Sequence, residues 1–317
     1  MEKVVPIKPN LKLHHLRDFV AIAHHQSVRG AARSLELAQP ALTRSLRELE
    51  RELNASLVDR HARGVVLTAI GQRFLVRAQS AMEEIRRAGE EVAQLGGSLD
   101  GSVNVALSTA VMLALLPSAI PAFRKARPGA QLRMVEAVFP AAEQRLLDGQ
   151  LDFYIGPQPE TLPRPLRSEL YFKNERVIVA RKGHPLGAAR SLKQLLGCDW
   201  ILTGLRERVE REFEEIFSAC GLSAPKSCMR VESTMGILSI LSNTDALVLL
   251  PRQWTDSPMF KDVLEVVPVR EKLLAPDIVL IARSGVPLTP VAEQFAVFMQ
   301  RAAAQVHWPA PRTRTRA

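Results

Sequence analysis

The 317-residue sequence predicts an α+β multidomain chain: a winged helix-turn-helix first, then a long connecting helix, then a C-terminal α/β region. Three observations carry this. Two short helical patterns before Asn54 are separated by a tight turn, and the second bears a row of arginines. A period of 3.5 runs unbroken from Phe74 to Leu95. Beyond Gly101, strand patterns alternate with helical stretches, the arrangement of an α/β sheet.

Composition narrows the function classes. The 42 Lys and Arg against 33 Asp and Glu give a formal charge of +9, which suggests an anionic partner without naming one. Cys198, Cys220 and Cys228 are an odd number without CxxC spacing, so they fit a reducing cytoplasm and read as buried structural thiols. The start, MEKVVPIKPNLKLHH, lacks a signal-type apolar stretch, and no segment has the length of a membrane span. The expectation is a cytoplasmic protein with no membrane partner.

In the first helix Leu16, Phe19, Val20 and Ala23 fall on one side, and the pattern ends near His24 and His25. Ser27 is a natural N-cap for the second, whose Val28, Ala31, Ala32 and Leu35 form a buried side with small residues for close approach. The third begins near Gln39, where Pro40 loses no hydrogen bond because first-turn N–H groups have no helical acceptor. Leu42, Leu46, Leu49 and Leu53 form its inward stripe.

The outer side of that third helix carries the chemistry. Pro40, Arg44, Arg47 and Arg51 line it, with Gln39 and Thr43 at its leading end. Gln pairs bidentately with adenine, and Arg with guanine or phosphate. Glu48, Glu50 and Glu52 crowd the other end, so a helix meeting DNA should enter N-terminus first. The alternative is a solvated helix face whose arginines pair with those glutamates. RHARGVVLTAIG then reads as a β-hairpin around Arg63 and Gly64, followed by a helix capped by Thr68, which makes a winged variant.

In the connector Phe74, Ala78, Ala81, Ile85, Ala88, Val92 and Leu95 keep one seam facing a partner, and Gly96 and Gly97 end the run. A paired helix is one reading; a lone amphipathic helix lying on its own domain is the other.

Further on, GSVNVALS, AQLRMVEA and LDFYIG read as strands with helices over Val111 to Phe123 and Pro140 to Leu147. Past PQPETLPRPLR the alternation resumes, with strands at Glu169 to Ala180, Trp200 to Thr203, Ser227 to Glu232 and Ala246 to Leu250. APDIVLIA reads as a further strand, and a last helix starts at Pro290. Helical crossovers imply parallel pairing, and ligands of such sheets gather at the strands' C-terminal ends. Ser108 and Thr109 stand there, before a helix N-terminus whose free N–H groups and dipole favour a carboxylate or sulfonate. Phe139 and Pro140 end the next strand similarly.

LRDFVAIAHHQSVRGAARSLELAQPALTRSLRELERELNASLVDRHARGVVLTAIG resembles the N-terminal domain of the LysR-type transcriptional regulators, a match spanning Leu11 to Gly71. The resemblance implies that Gln39, Pro40, Ala41, Thr43, Arg44 and Arg47 sit at the groove, with Arg63 on the wing near the minor groove. It places Ser27 and Thr68 near phosphates and Ala31 on the same surface. It favours the dimer-forming linker helix over the lone one. It also implies a two-lobed sensor of periplasmic-binding-protein type, with Gly156, Pro157, Thr203, Thr234 and Met235 joining the cleft. The domains are then 11–68 for DNA binding, 69–97 for the linker, 101–161 with 268–308 for lobe I, 162–267 for lobe II and 309–317 for a disordered tail.

Two departures from the family pattern stand out. Ala38 replaces the usual Ser or Thr, so the cap and its phosphate contact are missing or replaced. Thr244 and Ala246 replace two glycines in NTDALVLLP, a stretch that, with LTPVAEQF, is similar to members controlling the degradation of aromatic compounds and arylsulfonates. Some members sense peroxide through two cysteines, but the position nine residues before Cys220 is Arg211. The implied partners are double-stranded promoter DNA, a small anionic effector of which aromatic acids are one type, a second copy in a homodimer or homotetramer, and RNA polymerase.

An enzyme would need a constellation that does not occur: GxSxG, HExxH, a P-loop and a strand-linked GxGxxG are all missing, and His14, His15, His24 and His25 lack neighbouring metal-type ligands. No catalytic residue, metal or cofactor is expected. A transporter's solute-binding protein would suit the C-terminal lobes but not the N-terminal layout.

Overall fold

The computed structural model describes residues 10–305 except 62–63, 204–205, 227 and 274. The chain divides into two compact units, residues 1–97 with 148–150, and 98–147 with 151–317. The expected tail at 309–317 lies outside the described residues.

The first unit opens with α1 (Leu13–His25), α2 (Val28–Ser34) and α3 (Gln39–Leu53). Phe19, Ile22, Ala31, Ala32, Leu42, Leu46 and Leu49 close into one core, as the helical spacing requires. A strand pair follows, β1 (Val58–His61) and β2 (Gly64–Leu67), antiparallel with Val58 opposite Leu67. Gly64 adopts φ 139°, and a Cβ there would stand 2.7 Å from the Gln26 carbonyl. That same carbonyl accepts from Val65 N–H at 2.9 Å, which ties the hairpin to the turn between α1 and α2.

The long helix α4 (Ala69–Leu95) is capped by Thr68, whose Oγ1 accepts from Gly71 N–H at 2.9 Å and donates to the Ser56 carbonyl at 2.8 Å. Its seam is split. Phe74 packs on Phe19 with ring centroids 5.4 Å apart, and Ala78 is buried in the core of the same unit. Ile85, Ala88, Val92 and Leu95 are exposed, Val92 and Leu95 to 72% and 75%. The expectation that all seven seam residues serve a partner is therefore corrected for Phe74 and Ala78, because α1 claims them first.

The second unit holds two five-stranded sheets. Its elements are β3 (Ser102–Leu107), α5 (Thr109–Ala126), β4 (Gln131–Glu136), α6 (Phe139–Leu147), β5 (Phe153–Pro157), β6 (Leu166–Phe172) and β7 (Arg176–Arg181), followed by β8 (Trp200–Leu202), α7 (Arg206–Ser218) and β9 (Cys228–Arg230). Then come α8 (Thr234–Asn243), β10 (Leu247–Pro251), α9 (Gln253–Asp256), β11 (Leu264–Val267), β12 (Ile278–Arg283) and α10 (Pro290–Gln305). One sheet has the order β4-β3-β5-β12-β6, the other β11-β7-β10-β8-β9.

Two expectations change here. The single strand read over Glu169 to Ala180 is two strands in different sheets: β6 pairs with β12, and β7 with β10 and β11. The lobe boundary therefore falls at 173–175 rather than at 162, and the second crossing lies between β11 and β12. Lys173 Nζ meets Asp277 Oδ2 at 2.6 Å, one residue from each crossing. The sheets are also mixed rather than parallel. β3 is parallel to β4 and β5, but β12 is antiparallel to β5 because it re-enters from the other lobe.

Both lobes are filled as α/β sheets demand. Helices α5 and α10 cover one side of the first sheet, with Phe123 and Phe295 rings 5.0 Å apart. In the second lobe Trp200, Phe213 and Phe217 form an aromatic cluster between α7 and the sheet. Among the described residues no helix is long and apolar enough to cross a membrane.

Candidate nucleic-acid interface and effector cleft

On α3 the apolar stripe and the arginines separate by helical geometry. Leu42, Leu46 and Leu49 are buried, while Gln39, Pro40, Ala41, Arg44 and Arg47 are exposed and Thr43 half-exposed. Gln39, Pro40, Thr43, Arg44 and Arg47 together line an open surface concavity.

The glutamates are turned to structural work. Glu50 Oε1 accepts from Leu57 N–H at 2.8 Å and from Val58 N–H at 3.3 Å, anchoring the first hairpin strand. Glu48 lies 3.5 Å from the buried His15, and Glu52 is 4.0 Å from Arg51. Among the described residues no ion pair engages Arg44 or Arg47. Arg44 and Arg47 are thus not paired with the glutamates of their own helix, whereas Arg51 of the same face stands 4.0 Å from Glu52.

The helix ends differ in kind. Ser27 caps α2 by accepting from Gly30 N–H at 3.2 Å. Ala38 precedes α3 with no side-chain cap, which leaves the first-turn N–H groups without a side-chain acceptor from that position. Ala31, expected at the DNA surface, is corrected: it is 0% exposed within the core, since the second helix turns its small residues to α3. Arg63 lies outside the described residues.

At the carboxyl edge of the first sheet, Leu107 pairs with both Glu136 and Ile155, so the residues just beyond them gather there. Ser108 N–H donates to the Ile155 carbonyl at 3.0 Å. Ser108 is 5% exposed, makes no side-chain cap and, among the described residues, has no partner for its Oγ. Thr109, the first residue of α5, and Thr234, the first of α8 in the other lobe, bring their hydroxyls to 3.4 Å. Residues from both lobes therefore meet here.

Sequence reasoning missed a third participant. Glu136 Oε1 accepts from Thr109 Oγ1 and from Thr234 Oγ1, each at 2.5 Å. An acid closing a strand adjacent to the Ser108 strand was the only available signal. Conversely, Phe139 is not free for a ligand: it is buried in a core cluster with its ring 5.8 Å from Tyr154. Pro140 and Met235 are exposed, and Thr203 and Pro157 are half-exposed at strand ends. Gly156 is buried against Tyr154, whose hydroxyl would lie 2.1 Å from a Cβ there, so any side chain would displace that ring.

The thiols correct another expectation. Cys220 is exposed, and Cys198 and Cys228 are only half-buried. Burial pushes the Cys198 and Cys228 thiols up, with the Asp199 charge adding to it. Among the described residues no group of three or more His, Cys, Asp or Glu could hold a metal.

Comparison with known proteins matches both parts. The model of the bacterial regulatory helix-turn-helix proteins of the lysR family covers residues 13–72, and that of the LysR substrate binding domain covers 96–304. The HTH-type transcriptional regulator GbpR of Rhizobium radiobacter is 31% identical over 263 residues, 80% of this chain and 83% of that one. The SDS degradation transcriptional activation protein of a Pseudomonas species is 28% identical over 290 residues, 89% of this chain and 93% of that one. Among solved structures, the LysR family regulator CbnR superposes with a TM-score of 0.69 at 20% identity, covering 92% of this chain and 99% of that one. Full-length CbnR with its target DNA gives 0.68 at the same identity, covering 92% and 100%.

Proposed function

We propose how this chain, which belongs to the LysR family of bacterial helix-turn-helix transcriptional regulators, couples a small molecule to the reading of DNA. It is a DNA-binding transcriptional regulator rather than an enzyme, and its C-terminal substrate-binding domain serves an effector. In our reading α3 enters the major groove of promoter DNA N-terminus first. Gln39 and Arg44 read base edges, Pro40, Ala41 and Thr43 fit the groove wall, and Arg47 takes base or phosphate. The backbone near the Ser27 and Thr68 caps approaches phosphates. The observation that carries this reading is the outward row Gln39, Pro40, Thr43, Arg44 and Arg47, left open while Glu48 and Glu50 of the same helix bind inward.

The exposed part of the α4 seam, Ile85, Ala88, Val92 and Leu95, together with the half-buried Ala81, pairs two chains. Sensor-domain contacts join two such pairs into a tetramer, which acts on RNA polymerase in the cytoplasm. A small anionic effector, aromatic acids included, binds between the lobes near Ser108, Thr109, Thr203, Thr234, Met235, Pro140 and Gly156-Pro157. It shifts the DNA-reading state only as far as its affinities for the two lobe closures differ.

The test is Arg44→Ala, measured by fluorescence anisotropy against duplexes selected from a random pool by the native protein. Losing one base-edge pair should cost about 1–3 kcal/mol of discrimination while thermal stability stays unchanged. Selectivity equal to that of the native protein would remove α3 from the groove.

A further inference from the structure

The proposed effector cleft already contains an anion, supplied by the chain itself. Glu136 ends β4 in the first lobe, and its Oε1 takes hydrogen bonds from Thr109 at the N-terminus of α5 and from Thr234 at the N-terminus of α8. The two helices belong to different lobes and run 18 and 10 residues, long enough for their ends to carry a developed positive dipole. Each threonine hydroxyl has one proton, and both are committed to the same carboxylate oxygen. The 3.4 Å approach of the two hydroxyls follows from that shared acceptor.

Beside this carboxylate sits a second, independent feature. Ser108 Oγ is buried and without a partner among the described residues, at the N-cap of the same α5 whose end Glu136 faces. An orphaned hydroxyl of this kind costs free energy unless a ligand completes it. α8, in contrast, is capped by its own Ser233, which accepts from Gly236 N–H at 3.3 Å. The unmet hydrogen-bonding capacity is therefore on the α5 side, next to Glu136.

We infer that Glu136 is an internal ligand of the cleft, a carboxylate that holds the two lobes together through Thr109 and Thr234 until an effector's anionic head group displaces it. The inference rests on the effector-cleft reading above. It specifies that reading: the ligand exchanges with a carboxylate instead of filling open space. A neutral ligand cannot replace the charge at the two helix ends, and an anion bound while Glu136 stays in place meets like-charge repulsion. Binding thus frees Thr234 from β4 and changes the link between lobes.

Inorganic sulfate serves as the probe, titrated by calorimetry and thermal shift at ionic strength matched with chloride. It is applied to the full-length native chain, to Glu136→Ala, to the near-isosteric Glu136→Gln and to each with Ser108→Ala. With the internal carboxylate gone or neutral, sulfate should bind about tenfold more tightly than to the native chain, and Ser108→Ala should remove the gain. Equal binding to native and Glu136 variants, weakened throughout by Ser108→Ala, overturns the role of Glu136 while the cleft reading survives. Tighter binding that ignores Ser108→Ala places the anion elsewhere and also overturns it. No sulfate response in any variant overturns the cleft reading together with the inference.

Discussion

The leading end of α3 and that of α5 are built alike, and their surroundings differ. Both helices start without a side-chain cap, at Ala38 and Ser108, whereas α2, α4 and α8 are capped by Ser27, Thr68 and Ser233. Uncapped first turns keep a positive dipole available to an anion, although in α3 Pro40 has no N–H and Ala41 N–H already donates to the Ala38 carbonyl at 2.9 Å. At α3 that end adjoins the exposed row that includes Arg44 and Arg47, on the surface. At α5 the same kind of end faces the chain's own Glu136. One end is thus exposed beside arginines that have no ion pair among the described residues, and the other is already met by a carboxylate of the chain.

The largest break in this comparison comes from the support beneath α3. Leu46 is 1% exposed, and Leu46→Ala should destabilise the first unit by about 2–5 kcal/mol. DNA binding should be lost and the unfolding midpoint in calorimetry should fall. An unchanged midpoint would contradict the supporting role of Leu46 beneath α3. Next in size, Ala38→Ser should cap α3 and raise the midpoint of the first unit, a gain of about 0.5–2 kcal/mol in denaturant titration. An unchanged midpoint would mean that the first-turn N–H groups are already satisfied.

The smallest effect sharpens the contrast. Ser108→Ala removes a hydroxyl that has no partner among the described residues, so it should be neutral or stabilising by up to about 1 kcal/mol. A loss greater than that would show the hydroxyl to be structurally bonded, and α5 would then resemble the capped helices. The thiols give a milder check: Cys220, exposed, should be alkylated ahead of Cys198 and Cys228, whose raised pKa keeps them protonated to higher pH.

Much of the first unit was legible. The stripe Leu42, Leu46, Leu49 and the caps Ser27 and Thr68 act within one or two helical turns, so spacing alone locates them. The errors arise where a residue has two possible neighbours. Phe74 and Ala78 continue the heptad seam but also reach α1, and burial against α1 prevails. Phe139 follows a strand as a cleft residue would, yet it opens α6 and its ring lies in the core beside Tyr154. In ELYFKNERVIVA strand-forming residues flank the polar stretch Lys173 to Arg176, and that short interruption is where the chain leaves one sheet for another.

The sequence by itself determined the winged helix-turn-helix, the outward arginines and the strand–helix alternation, because these follow from periodicity, turn chemistry and charge over short stretches. Only the tertiary structure decided which strands share a sheet and what Glu136 touches. Its bond with Thr234 joins residues 98 positions apart, and a contact of that range is set by how two lobes fold back on each other rather than by any local preference.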